Sequence, residues 1–227
     1  RALCERRGRL AGSVMFMFQP GEEGHHGARF MLDDGIINPL PDAAFALHVT
    51  PNLPSGVLAS REGPLMAAAD KLIVSIKGKG GHASMPQDAV DPIPVACEIV
   101  MALQTMVTRR VPAFDPVVLT VAQIVSGTTN NIIPETAQIV GTIRSFSKSS
   151  RAIAHEGLHR VVTHVAAAHK CETTVEIEQG FPVTICDGRA VALAQKTAKS
   201  LFGEGGWMTM PTPMMGAEDF SYVLNKV

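Results

Sequence analysis

Apolar and polar positions along the chain fall into three textures. The first is compact. Residues 13–19, SVMFMFQ, are a dense apolar run halted by Pro20-Gly21 and read as a buried strand. Residues 26–32 read as a short helix stopped near Asp34-Gly35, and residues 43–49, AAFALHV, as a second buried strand ended by Pro51. Strand, helix and strand in this order predict a βαβ unit and a parallel sheet covered on both faces.

The second texture begins after Pro64. Residues 71–77 alternate as a half-exposed strand, followed by the glycine-rich bend at residues 78–81. Val95, Ile99, Val100, Leu103, Met106 and Val107 recur at helical spacing. Residues 117–125 and 138–146 read as strands. Ala154, Leu158, Val161, Val162 and Val165 mark a second amphipathic helix, and residues 173–178 an edge-like strand. The order β-α-β-β-α-β is the split βαβ, ferredoxin-like arrangement. The third texture returns to the first: a helix over 189–202, a loop at 203–206, a short strand at 208–210 and a helix opening at 216–220. The expected class is therefore α/β: one α/β domain, residues 1–67 and 181–227, interrupted by an inserted α+β domain, residues 68–180. Met15, Met17, Met101 and Met106 read as core filling.

Composition narrows the function. The 227 residues are 46% hydrophobic and 18% charged, enough apolar material for a core. A net charge of −1 without a Lys/Arg block argues against a nucleic-acid partner. No apolar run approaches the roughly 20 residues that span a bilayer, so no membrane partner is expected. Cys4, Cys97, Cys171 and Cys186 have no paired spacing and read as free thiols in a reducing, cytoplasmic setting. The chain starts at Arg1 rather than Met and reads as a piece of a longer protein.

The candidate chemistry lies at the strand ends. Glu22 and Glu23 stand on a turn beyond the first strand, where open α/β sheets place their sites. Adjacent carboxylates on a turn point in different directions, so one can bind a cation while the other faces the cation's water. His48 ends the second strand, and imidazole with carboxylate is a usual ligand combination of catalytic zinc. His82 sits on a glycine-rich turn from which it can donate to a developing oxyanion. That turn lacks the lysine and hydroxyl of a phosphate loop. Asn131, in a loop between strands, and Arg144, at a strand end, suit recognition of a carbonyl and a carboxylate. His155 and His159, four apart on a helix, have no carboxylate partner in the sequence pattern and are not read as ligands.

The motifs FQPGEEG (18–24), ALHV (46–49), GKGGHASMP (78–86), NIIP (131–134), GTIR (141–144) and GAEDFS (216–221) together resemble the M20 family of metallopeptidases and amidohydrolases. The match is nearest to its branch of N-acyl-amino-acid amidohydrolases, which includes hippurate and auxin-conjugate hydrolases. The resemblance implies a partial metallopeptidase-type catalytic domain with an inserted lid and dimerisation domain. It implies Glu22 as general base, Glu23 and His48 as ligands of two divalent ions (Zn, Mn, Co or Ni), and His82 reaching the substrate carbonyl, often across a homodimer interface. It implies Asn131 and Arg144 as substrate-orienting residues, with Glu218 and Asp219 near the site but without a firm role. The substrate implied is a small N-acyl amino acid. The resemblance also places further ligands before Arg1 and after Val227. Two alternatives stand beside this reading: a dinuclear di- or tripeptidase on the same scaffold, and a dimerising, ligand-binding fragment without catalysis.

Overall fold

The computed structural model describes residues 2–227. In chain order its helices are α1 (Ala2–Glu5), the single turn α2 (Glu22–His25), α3 (Gly27–Asp33), α4 (Pro92–Arg110), α5 (Lys148–Ala168), α6 (Gly188–Phe202) and α7 (Ser221–Leu224). Its strands are β1 (Leu58–Ser60), β2 (Gly63–Met66), β3 (Ala68–Lys77), β4 (Gly81–His82), β5 (Val117–Ser126), β6 (Ile132–Ile133), β7 (Thr136–Ser145), β8 (Glu172–Gln179), β9 (Thr184–Cys186) and β10 (Trp207–Thr209).

The largest unit is an antiparallel four-stranded sheet in the order β5-β7-β3-β8. This is the ferredoxin-like order, and β8 lies at an edge as its alternating pattern predicts. Helices α4 and α5 cover one face. Leu72, Val74 and Ile76 of β3 meet Val95, Ile99 and Leu103 of α4 and Ala154, Leu158 and Val162 of α5 in one core. Each helix begins where its sequence supplies a cap: Asp91 accepts from Ile93 N ahead of Pro92, and Ser147 accepts from Ser150 N. Met106 joins this core, but Met15 and Met101 are exposed, which corrects their reading as core residues.

Asp70 ties the sheet to α5. It is buried at the start of β3, and Arg151 grips it through both Nε, at 2.8 Å from Oδ2, and Nη2. His155 Nε2 lies 2.7 Å from the same carboxylate and Gly180 N donates to it at 3.1 Å. Burial alone would raise this carboxyl, but the bonds from His155 and Arg151 hold it down at about 2. His155 thus has a carboxylate partner after all, a structural one contributed by a distant strand.

Around this unit the remaining chain pairs in short ladders. β1 runs parallel to β10, β2 antiparallel to β9, and β4 antiparallel to β6. Ala67 N bridges to Met214 O and Gly216 O, bringing residues 214–216 beside β2 and β3. A small second core of Ala28, Ile37 and Val223, flanked by Met17, Leu32, Ala44, Phe220 and Tyr222, joins the early segment to the last helix.

The two early runs depart from expectation. Residues 13–19 and 43–49 form no strand, and the predicted parallel βαβ sheet is absent among the described residues; of its three elements the helix forms, as α3. A strand needs a neighbour to take its N–H and C=O groups. None of the described residues offers one here, so both runs lie open, with Phe18 87%, Leu47 84% and Val49 90% exposed. The helix anticipated from Gly216 likewise starts only at Ser221.

Candidate active site

The acidic turn follows from its glycines. Gly21 (φ 58°) and Gly24 (φ 81°) adopt the left-handed backbone that bends α2 back on itself, with Glu22 and Glu23 between them. Gly27 lies so close to Pro20 that a Cβ there would stand 1.6 Å from the Pro20 carbonyl oxygen. His26 is also left-handed (φ 55°), and Tyr222 and Phe181 hold it: its Nδ1 lies 3.0 Å from Tyr222 Oη, and its ring meets Phe181 edge-on at 4.9 Å. Burial pushes the His26 imidazole down.

The far end of the chain closes on this turn. Asp219 is fully buried. Its Oδ1 accepts from Gln19 Nε2, and its Oδ2 accepts from Ala28 N at 2.9 Å. One carboxylate therefore joins the residue before the acidic turn to the helix after it. Burial raises the Asp219 carboxyl, against the pull of Ala28 N and Gln19. Its neighbour Glu218 reaches His48, with Oε2 3.0 Å from Nδ1, and the other oxygen, Oε1, accepts from Phe220 N at 3.3 Å. Glu22 senses the whole group. Burial pushes its carboxyl up, Glu218, Asp219 and Glu23 add to the rise, and His48 opposes it.

Five of these side chains, Glu22, Glu23, His48, Glu218 and Asp219, therefore share one electrostatic neighbourhood. Glu218 and Asp219 had no firm role in the sequence reading, and the signal for them was the adjacent pair of acids in GAEDF. The remaining candidates sit elsewhere. His82 lies on β4 opposite Ile132 of β6, and Ala83 N donates to Asn131 O at 3.0 Å, so His82 and Asn131 belong to one loop pair. Ser84 caps the imidazole: its N–H donates to His82 Nδ1 at 3.2 Å and its hydroxyl lies 2.7 Å from the same nitrogen. Arg144 is half-buried on β7 between Ala69 of β3 and Val118 of β5. Among the described residues no hydrogen bond or ion pair links His82, Asn131 or Arg144 to the Glu22–His48 group.

The acidic group has the donor types of a divalent-cation site. Imidazole and carboxylates suit zinc and its neighbours. The mutual repulsion that raises Glu22 is what a dication would relieve. The described residues alone bring no three such side chains into metal-holding geometry. The donors present fit a cation but supply only part of a ligand set. The four cysteines are unpaired, and only Cys171 is buried.

Acids from two distant stretches of the chain and an imidazole thus gather around one turn, beside a ferredoxin-like unit. The chain belongs to the peptidase family M20/M25/M40, which it matches over residues 1–227. It is 36% identical over 226 residues to N-acetylcysteine deacetylase of Bacillus subtilis, covering 99% of this chain and 58% of that protein. It is also 36% identical over 226 residues to IAA-amino acid hydrolase ILR1-like 4 of Arabidopsis thaliana, covering 98% of this chain and 51% of the relative. Among solved structures it superposes on the Bacillus subtilis YXEP protein, described as a dinuclear metal-binding peptidase of the M20 family. The TM-score is 0.80 at 32% identity, over 100% of this chain and 56% of the other. The chain thus spans somewhat more than half the length of these relatives. The mixed α/β class expected from the sequence holds.

Proposed function

We propose that this chain is part of a metal-dependent amidohydrolase that cleaves the amide bond of N-acyl amino acids. The observation that carries the reading is the gathering of Glu218 and His48, 3.0 Å apart, and Asp219 beside the Glu22–Glu23 turn, within a family whose named relatives include a deacetylase and an amino acid conjugate hydrolase. Glu23 and His48 are the ligands this chain would contribute, with others supplied by the additional length the relatives have. Two bound divalent ions would lower the pKa of water and polarise the scissile carbonyl.

The protein's own groups do the rest. Glu22 takes a proton from the attacking water and later returns it to the leaving amine. His82 donates to the carbonyl oxygen as negative charge develops on it. Asn131, joined to the His82 loop, orients the carbonyl, and the guanidinium fork of Arg144 receives the substrate carboxylate. Residues 68–180 act as the lid and as the surface through which two copies pair, so that His82 serves the partner's site.

The test is Glu22→Gln in the full-length protein, assayed on N-acetyl and N-benzoyl amino acids with dipeptides as competitors. Turnover should fall by a factor of about 10² to 10⁴ with metal content unchanged. Normal turnover by this variant refutes the base, and preferential cleavage of the dipeptides redirects the reading to a peptidase.

A further inference from the structure

We propose that Glu218 is a positioning residue for His48: its carboxylate fixes the imidazole as the Nδ1–H tautomer and leaves Nε2 with a free lone pair for a divalent cation. The inference rests on the reading of His48 as a metal ligand. His48 Nδ1 and Glu218 Oε2 lie 3.0 Å apart. A carboxylate oxygen accepts, so the ring nitrogen facing it carries the hydrogen. A neutral imidazole has only one, and its other nitrogen is therefore bare. That is the form in which histidine binds metals, and a carboxylate on the far nitrogen is a recurrent way of holding it there.

Glu218 is built to be the stationary partner. Its side chain is 15% exposed against 61% for His48, and its second oxygen is occupied by Phe220 N. The residue beside it, Asp219, is buried and tied to Gln19 and Ala28. The carboxylate is fixed by the backbone around it, and the imidazole turns to meet it. His82 supplies the contrast. The Ser84 main-chain N–H can only donate, so His82 Nδ1 accepts and its hydrogen sits on Nε2. The two imidazoles hold opposite tautomers. His48 offers a lone pair and His82 a donor, as the proposed ligand and the proposed carbonyl contact respectively require.

Imidazole 15N–1H correlation spectra of the chain, at mildly alkaline pH where imidazoles are neutral, read the tautomer directly and need no variant. His48 should show a protonated Nδ1 and a bare Nε2. Glu218→Ala should move His48 towards the Nε2–H form, whereas Glu218→Gln, whose amide oxygen still accepts, should keep the native pattern. Titrated Zn2+ should shift His48 Nε2, with an apparent affinity 10–100-fold weaker in Glu218→Ala. A native His48 protonated at Nε2, or a Glu218→Ala pattern identical to the native one, overturns the proposal. A locked tautomer whose Nε2 ignores Zn2+ leaves Glu218 as the positioning group and removes His48 from the ligand set.

Discussion

Single residues in this chain act through partners far away in sequence. Asp70 shows the consequence most directly. Its folded carboxyl is depressed to about 2, so the stability it confers is present above its ordinary value near 3.8 and is lost as pH falls from there through 2. Urea unfolding across that acid range should lose about 2 kcal/mol through this group. Asp70→Asn should flatten that dependence while costing about 2–3 kcal/mol at neutral pH, because half-buried Arg151 loses its anion. A variant with the native acid slope would show that other carboxyls govern it. At the proposed site, His82→Ala should lower kcat about 10²–10³-fold with metal content unchanged. Unchanged kcat would end its role as carbonyl donor. Glu22, Glu23, His48 and His82 were legible as chemistry because each stands at a turn or strand end. Asp70 and His155 were not, and Glu218 and Asp219 stood near the site without a role, because their partners lie 85, 170 and up to 200 residues away and no local pattern records such a contact.

At the scale of elements, legibility followed whether each could satisfy itself nearby. Helices α4, α5 and α6 carry their own caps at Asp91, Ser147 and Asp187, and strands β3, β5, β7 and β8 find partners within one unit. The sequence pattern anticipates each of these elements. The runs at 13–19 and 43–49 carry an equally strong apolar signal but depend on neighbours that the described residues lack, and hydrophobicity alone made no strand. The short ladders β1–β10, β2–β9 and β4–β6 are too brief to show a period, and of their strands only β10 matches a sequence expectation, the short strand at 208–210. One packing detail gives a sharp expectation. β5 shifts register between Val121 and Gln123 where it passes Gly141 of β7, and a Cβ at Gly141 would stand 2.3 Å from Thr120 O. Gly141→Ala should therefore destabilise the sheet by about 1–3 kcal/mol, read from the denaturant midpoint. No change in the midpoint would mean that β5 yields at its bulge without cost.

At the scale of the whole chain, the two apolar runs at 13–19 and 43–49 lie open. Phe16, Phe18, Phe45, Leu47 and Val49 are all exposed on two stretches of irregular chain. Exposed apolar surface of this kind drives association. Phe18→Ser with Leu47→Ser should reduce concentration-dependent association in light scattering while leaving the thermal midpoint within a few degrees. A large fall in the midpoint would mean instead that these side chains support the fold.

The Asp219 clasp also has a kinetic consequence. It joins Gln19 and Ala28 to a residue 200 and 191 positions away, whereas the central sheet closes over much shorter spans. Closing so long a loop costs entropy that only the last contacts recover, so the acidic group around Asp219 assembles after the sheet and opens before it. Deuterium should reach the Ala28 amide well before the amides of β3, with the two rates converging only as the whole chain unravels.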